Sequence, residues 1–565
     1  MRTGYTILPL VGLLASCGAR SAVDHVRFKN QAPVTVVNDR LHVENQPEET
    51  PIYRALYHFD GHFHRLLTRK MEFRGTGRAR NVNSMDEVPN STWFTNRLGI
   101  RTMSPGQVAR GPNQGPGPEA ARPWTILSSK VGGAAPGFII KDARGERYLL
   151  KFDQKGFPEL DTAADVIVAR LLWAIGYNVP EDRVVYFHKD DLVISPDATV
   201  KDVFGNKSKM TQKAFERELG RVEVGKDGSI RGLVSKFVSG KPLGGRTRDW
   251  PRDDDKNDVI NHHERRDIRG QYAFFSWLDH ADIKEDNTLD VYIEDPKDPK
   301  VRYVKHYLID FGNALGNQAV INALKLVGHS HRIDFAQIAA SFFTLGIWRR
   351  PWEDRAYPHI RGIGYLDTQS FHPGKWKPYT PSYFAFHDSD RFDNFWASKI
   401  LIRFTTAHFR AVVKEARYSD PQAEEYMVQV LRQRQRKVAR YWFDRVNPLD
   451  GFDIDGERLC FDDLLIKYRL DYATGRTSYR VRGYDYDGES TGLDTRIAAT
   501  RDGRGCLSGV KPSSSKDGYT VLRIDTDRSV DKTERPTQQH LPGLLLHLAT
   551  DPGDGAMRVI GLRRL

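Results

Sequence analysis

His280, Asp282, Lys284 and Asn287 stand at short fixed intervals in the segment His280-Ala281-Asp282-Ile283-Lys284-Glu285-Asp286-Asn287. A further aspartate opens Asp310-Phe311-Gly312, just after the apolar run Tyr307-Leu308-Ile309. Residues of these types suit phosphoryl transfer. That reaction asks little covalent chemistry of a protein: the phosphates must be held, metal charge placed over them, and an acceptor hydroxyl aimed in line. Upstream, Lys151 lies in the extended run Tyr148 to Phe152, preceded by Gly132-Gly133-Ala134-Ala135-Pro136-Gly137. Gly132, Gly133 and Gly137 lack the regular Gly-x-Gly-x-x-Gly spacing, yet a glycine-rich turn can cradle phosphate with its backbone amides.

The elements that must position these residues are visible in the patterning. Phe138-Ile139-Ile140, the turn Asp142-Ala143-Arg144-Gly145 and the run from Tyr148 predict a pair of strands. Thr162 to Ile175 places Val166, Ala169, Arg170 and Trp173 at helical spacing, and Gly176 follows as the cap. Gly232 to Leu243 reads as another strand leaving into a glycine-containing connection, and residues 264–278 as a helix running into the loop at His280. The charged stretch Asp295 to Lys300 suits an enlarged hairpin between Asn287 and Asp310. Phe392 to Val413 reads as one helix, and Ser419-Asp420-Pro421 opens another that runs to about Phe443. Beyond Pro448, runs such as Tyr479 to Arg482, Tyr519 to Ile524 and Met557 to Ile560 alternate in the manner of strands.

The order glycine loop, strand lysine, helix, Asn-containing loop and Asp-Phe-Gly resembles the protein-kinase-like superfamily over roughly Lys130 to Gly316. Its catalytic loop has the form His-Arg-Asp-x-Lys-x-x-Asn, matched here with Ala281 in place of arginine. The atypical HipA-type and CotH-type branches are the more similar. No Ala-Pro-Glu follows Asp-Phe-Gly, and the residues after Gly316 read as helix. The resemblance implies an α+β, bilobal fold with a β-rich lobe over residues 121–243 and a helical lobe over 244–449, followed by a small all-β domain over 450–565. It implies ATP with Mg²⁺ or Mn²⁺, a nucleotide partner and a hydroxyl acceptor. Asp282 takes the acceptor's proton, Lys284 neutralises the moving phosphoryl group, and Asn287 and Asp310 hold metal. Lys151 contacts the phosphates and needs an acidic partner: Asp165 is the first choice, Asp161 shares its helical face, and Glu159 is third. Two other readings stand beside the kinase: a kinase-fold binding protein without activity, and nucleotidyl transfer by the same site.

The 565-residue chain is long enough for several compact units, and its apolar (39%) and charged (28%) fractions are those of soluble globular protein. The first residues differ. Arg2, the apolar run Ile7 to Leu14 and then Leu14-Ala15-Ser16-Cys17 resemble a bacterial lipoprotein signal, residues 1–16, with Cys17 as the lipid-bearing residue. That implies an exported envelope protein, in the outer membrane where the cell has one, with membrane contact through the anchor. Residues 17–120 then form a tether and N-terminal extension, polar and weakly patterned to about residue 45. Cys460 and Cys506 are either paired or two buried thiols. The net charge of +12 is spread among Asp and Glu without a long basic run, so nucleic acid is not expected as a partner.

Overall fold

Alternation of buried and outward side chains from Trp124 onward builds one seven-stranded sheet. Its strands are β1 (Trp124–Ser129), β2 (Gly137–Lys141), β3 (Arg147–Lys151), β4 (Asp182–Phe187), β5 (Leu192–Lys201), β6 (Lys207–Lys209) and β7 (Ile230–Lys236). Their spatial order is β4-β7-β3-β2-β1-β5-β6, with β1 and β5 parallel. Trp124, Phe138, Phe152, Phe187 and Phe215 fill the core on this sheet. The computed structural model describes residues 23–50, 59–65, 67–68, 77–130, 135–201, 206–350, 352–381, 383–470, 477–528 and 541–565.

The helix Asp161–Ile175 connects β3 to β4 and is buried along nearly its whole length. Gly176 ends it at φ 152°, its N–H bonding to the Leu172 carbonyl. A Cβ there would lie 2.4 Å from the Phe94 ring, so glycine serves both the turn and the close packing. Strand β8 (Lys241–Gly244) leaves the sheet and pairs with the hairpin of β9 (Thr288–Glu294) and β10 (Arg302–Leu308), in order β10-β9-β8. This is the enlarged hairpin expected between Asn287 and Asp310.

Apart from that hairpin, the regular structure between β8 and residue 448 is helical, with long irregular stretches between helices. The single helix expected over 264–278 is broken into Arg266–Arg269 and Gln271–Leu278. At the break, a Cβ on Gly270 would come 2.8 Å from the Trp396 ring. The single helix expected from Phe392 to Val413 is likewise two, Arg391–Leu401 and Thr406–Lys414. Thr405 starts the second by accepting the His408 N–H. Pro421–Phe443 runs as expected, capped by Asp420. Together these helices bury Trp277, Phe404, Phe409, Leu431 and Trp442 in the largest core.

Beyond Pro448 lie a three-stranded sheet, β11 (Leu449–Asp455), β12 (Arg458–Asp463) and β15 (Arg504–Leu507), and a five-stranded one. The latter holds β13 (Thr477–Tyr484), β14 (Ser490–Ala498), β16 (Thr520–Arg528), β17 (Leu544–Thr550) and β18 (Met557–Arg564). Cys460 faces Cys506 across β12 and β15, and the two form a disulfide. Residues 23–50 differ from a free tether. Val23 is buried against the C-terminal sheet, and Val43 packs with Leu243, Tyr292 and Val304. Cys17 lies outside the described residues. Among the described residues, no helix is long and apolar enough to cross a membrane.

Candidate functional site

Strand β3 is held on both sides, by β2 and β7, so Lys151 at its end has a fixed origin; it pairs with Gly137 and with Leu233. Its ammonium donates to Asp310 Oδ1 at 2.8 Å and to Asp165 Oδ2 at 3.5 Å. Asp165 is buried in the Asp161–Ile175 helix, and its Oδ1 accepts the Phe311 N–H at 2.6 Å. One carboxylate therefore orients both the strand lysine and the backbone of Asp-Phe-Gly. Asp310 itself adopts φ 65°, a left-handed conformation that costs a non-glycine residue about 1 kcal/mol or more. The preceding Ile309 N–H bonds to the Asn287 carbonyl and joins the two motifs.

The loop carrying Asp282 is fixed from below. Asp279 ends the Gln271–Leu278 helix in the left-handed region, and its Oδ1 accepts the Trp376 indole N–H at 2.8 Å. The Tyr379 N–H bonds to the Ala281 carbonyl. Asp282 then faces Lys284, whose ammonium lies 3.3 Å from Oδ1, and Asn313, whose amide donates to Oδ2 at 2.9 Å. Asn287 donates its own amide to the Asp282 carbonyl at 2.7 Å, which leaves Oδ1 as its acceptor. His280 is buried with its ring edge-on to Phe275 and Phe311, and burial lowers its pKa to about 4. It is a neutral packing residue.

The three acidic candidates for Lys151 separate cleanly. Asp165 makes the contact. Glu159 turns away, accepting from Arg361 Nε at 2.9 Å and from the Ser419 N–H at 2.9 Å. Asp161 points toward the site without a bond to Lys151. Burial, with Asp153 and Asp165 nearby, pushes its pKa well above the usual carboxylate range. Gly137 sits where a Cβ would lie 2.4 Å from the Leu150 carbonyl oxygen and 3.3 Å from Lys130 Cδ. Gly132 and Gly133 lie outside the described residues.

Two residues of the site were not singled out in the sequence. Asn313 follows Asp-Phe-Gly directly, and its signal is only that adjacency. Lys130 directly follows β1 and donates to the Ala135 carbonyl at 3.2 Å. Burial and the Lys151 charge lower its pKa, against the pull of Asp310.

The electrostatics favour a site whose groups are charged. Burial opposes the charge on Lys151, but Asp165 and Asp310 outweigh it and hold the pKa above the ordinary lysine value. Lys151 in turn holds the half-exposed Asp310 carboxyl far below the usual range, so it is an anion at neutral pH. Among the described residues no trio of His, Cys, Asp or Glu forms a self-sufficient metal cage. Asp310 and the free Oδ1 of Asn287 fit a hard cation that takes its remaining ligands from phosphate and water.

No family model and no curated protein matches the chain. Solved structures similar to it include the Rio2 kinase–ADP/Mg²⁺–phosphoaspartate complex from Chaetomium thermophilum, at 13% identity and TM-score 0.19, covering 55% of this chain and 71% of that one. Golgi casein kinase with Mn/ADP bound aligns at 10% identity and TM-score 0.22, covering 55% of this chain and 73% of that one. Superpositions this loose carry no argument, and the site stands on its own side-chain geometry.

Proposed function

We propose that the chain is a kinase-like phosphotransferase that moves the γ-phosphoryl group of ATP to a hydroxyl on a protein or a small envelope molecule. The observation that carries the reading is Lys151 held between Asp165 and Asp310, with Asp310 tied through Ile309 to Asn287 and the Asp282 loop. In this reading the seven-stranded sheet and the helical region are the two lobes of a kinase-like fold. The helix Asn317–Ile321, which follows Asp-Phe-Gly almost at once, supports an atypical branch of the HipA or CotH kind.

Lys151 holds the α- and β-phosphates, and the amides around Gly137 cover them. Asn287 and Asp310 hold the divalent cation, which neutralises phosphate charge when bound. Asp282, oriented by Asn313 and Lys284, accepts the proton of the attacking hydroxyl as the hydroxyl oxygen bonds to the γ-phosphorus, the bond from that phosphorus to the β,γ-bridging oxygen breaks and ADP leaves; Lys284 balances charge on the group in transit. The Leu14-Ala15-Ser16-Cys17 signal and the Cys460–Cys506 disulfide support export to an oxidising compartment, with Cys17 as the anchor.

The test is incubation of the purified full chain with γ-labelled or α-labelled ATP and Mg²⁺ or Mn²⁺, on itself and on envelope extracts. Transfer of γ-label that Asp282→Asn lowers by about 10²-fold or more supports the reading. Transfer of α-label alone assigns nucleotidyl transfer instead, and absence of either sinks the enzymatic account.

A further inference from the structure

A cleft of about 1420 Å³ lies between the β7–β8 connection, the C-terminal end of the Asp161–Ile175 helix and the β9–β10 hairpin. None of Lys151, Asp165, Asp282, Asn287 or Asp310 lines it. It is larger than the roughly 300–1,000 Å³ usual for a small-molecule pocket. Lys305 and Tyr307 reach it from one face of β10, whose alternate residues Val304, His306 and Leu308 are buried on the other. Arg97 and Arg110 join them from the segment before β1.

The cations of this cleft fall into two sets. Lys236, Lys241 and Arg302 each have a carboxylate, Glu146 at 3.1 Å, Glu49 at 2.5 Å and Glu294 at 2.8 Å. Arg97, Arg110 and Lys305 have no carboxylate partner among the described residues. Arg97 donates only to the Trp173 and Tyr177 carbonyls, at 2.7 and 3.3 Å. Lys305 has the Tyr307 ring at 5.3 Å. Burial, with Arg97 and Arg40 nearby, lowers the Lys305 pKa, and burial with Arg101 brings Arg97 to about 10. Lys305 and Arg97, partly withdrawn from water beside other cations, carry an electrostatic cost that an entering anion removes, whereas Arg110 is exposed.

We propose that this cleft binds an anionic saccharide, a run of sugars bearing sulfate, phosphate or carboxylate groups. Arg110 and Lys305 meet the anionic groups. Gln46, Gln114 and Ser239 supply neutral hydrogen-bonding groups for hydroxyls, and buried Asn113 Oδ1 has no hydrogen-bond partner of its own. Single-stranded nucleic acid fits less well because it stacks its bases on open aromatic faces. Here Trp173 lies under Arg97 at 4.7 Å, Tyr307 near Lys305 and Phe237 under Arg147 at 4.8 Å, while the Tyr292 ring is buried.

The experiment titrates the full chain with a heparin-derived hexasaccharide by calorimetry at low and moderate salt. It uses wild type, Lys305→Met, Arg110→Gln and the double variant, with desulfated hexasaccharide and an oligothymidylate of matching length as comparators. The expected results are salt-sensitive binding by wild type, weakened about tenfold or more in the double variant and by desulfation, with thermal melting no lower than wild type. Three outcomes overturn the proposal: no wild-type binding at low salt, equal binding by a well-folded double variant, or tighter binding of the oligothymidylate in competition with the hexasaccharide.

Discussion

Lys151 and Lys305 are both partly buried lysines on strands, yet their surroundings are opposite. Lys151 is clamped between Asp165 and Asp310, and the residues around it are rich in carboxylates. Lys305 faces Arg97 and Arg40 and has no acid beside it among the described residues. Pre-paired charge holds geometry, as a site must when it aims reacting groups. Unpaired charge leaves the free protein under strain that a ligand relieves. The two regions share the β9–β10 hairpin, whose ends hold Asn287 and Asp310 and whose β10 face presents Lys305.

The sharpest way to break this comparison is to remove each cation and measure stability. Lys151→Met leaves Asp165 buried without its partner and should cost about 3 kcal/mol in urea unfolding. A neutral result would mean that the clamp is not formed in solution.

An intermediate effect concerns the acid excess near Lys151. Burial and the neighbouring Asp165 raise Asp182 to about 7. A carboxyl with a raised folded pKa contributes stability that is full below its unfolded value near 4 and is lost as pH rises through about 7. Asp182→Asn should therefore flatten the fall in stability between pH 4 and 7 relative to wild type, read as the difference between the two pH profiles of urea unfolding. Parallel pH profiles would remove Asp182 from the account.

The smallest expected effect has the opposite sign. Lys305→Met replaces an uncompensated cation with an apolar chain of similar length and should stabilise the free protein by about 1 kcal/mol. Destabilisation of similar size would show that Lys305 has a counter-charge in solution and would undo the contrast with Lys151.

What could be read from the sequence follows from distance along the chain. Asp282, Lys284 and Asn287 share one loop, and Asp310 opens a second contiguous motif, so their types and spacing declare them together. The partner of Lys151 was harder, since Asp165, Asp161 and Glu159 lie within one helix and its lead-in. The choice depends on which way each side chain points, and Arg361 and Ser419, far along the chain, draw Glu159 away. At the break, Gly270 packs against the Trp396 ring, a contact that no local pattern carries. By contrast, Thr405 is itself a local capping signal within the stretch read as one helix. The cation cleft was not legible at all, because Arg97 and Lys305 come from distant segments and each alone reads as a solvated surface charge.

The most direct test of the central claim is calorimetric titration of ATP into the full chain, with Mg²⁺ and with Mn²⁺, comparing wild type with Asp310→Ala and Asp282→Asn. The account predicts metal-dependent binding by wild type, loss in Asp310→Ala, and retention in Asp282→Asn, whose aspartate serves the acceptor rather than the nucleotide. No binding by wild type under either metal, or equal binding by Asp310→Ala, would contradict it.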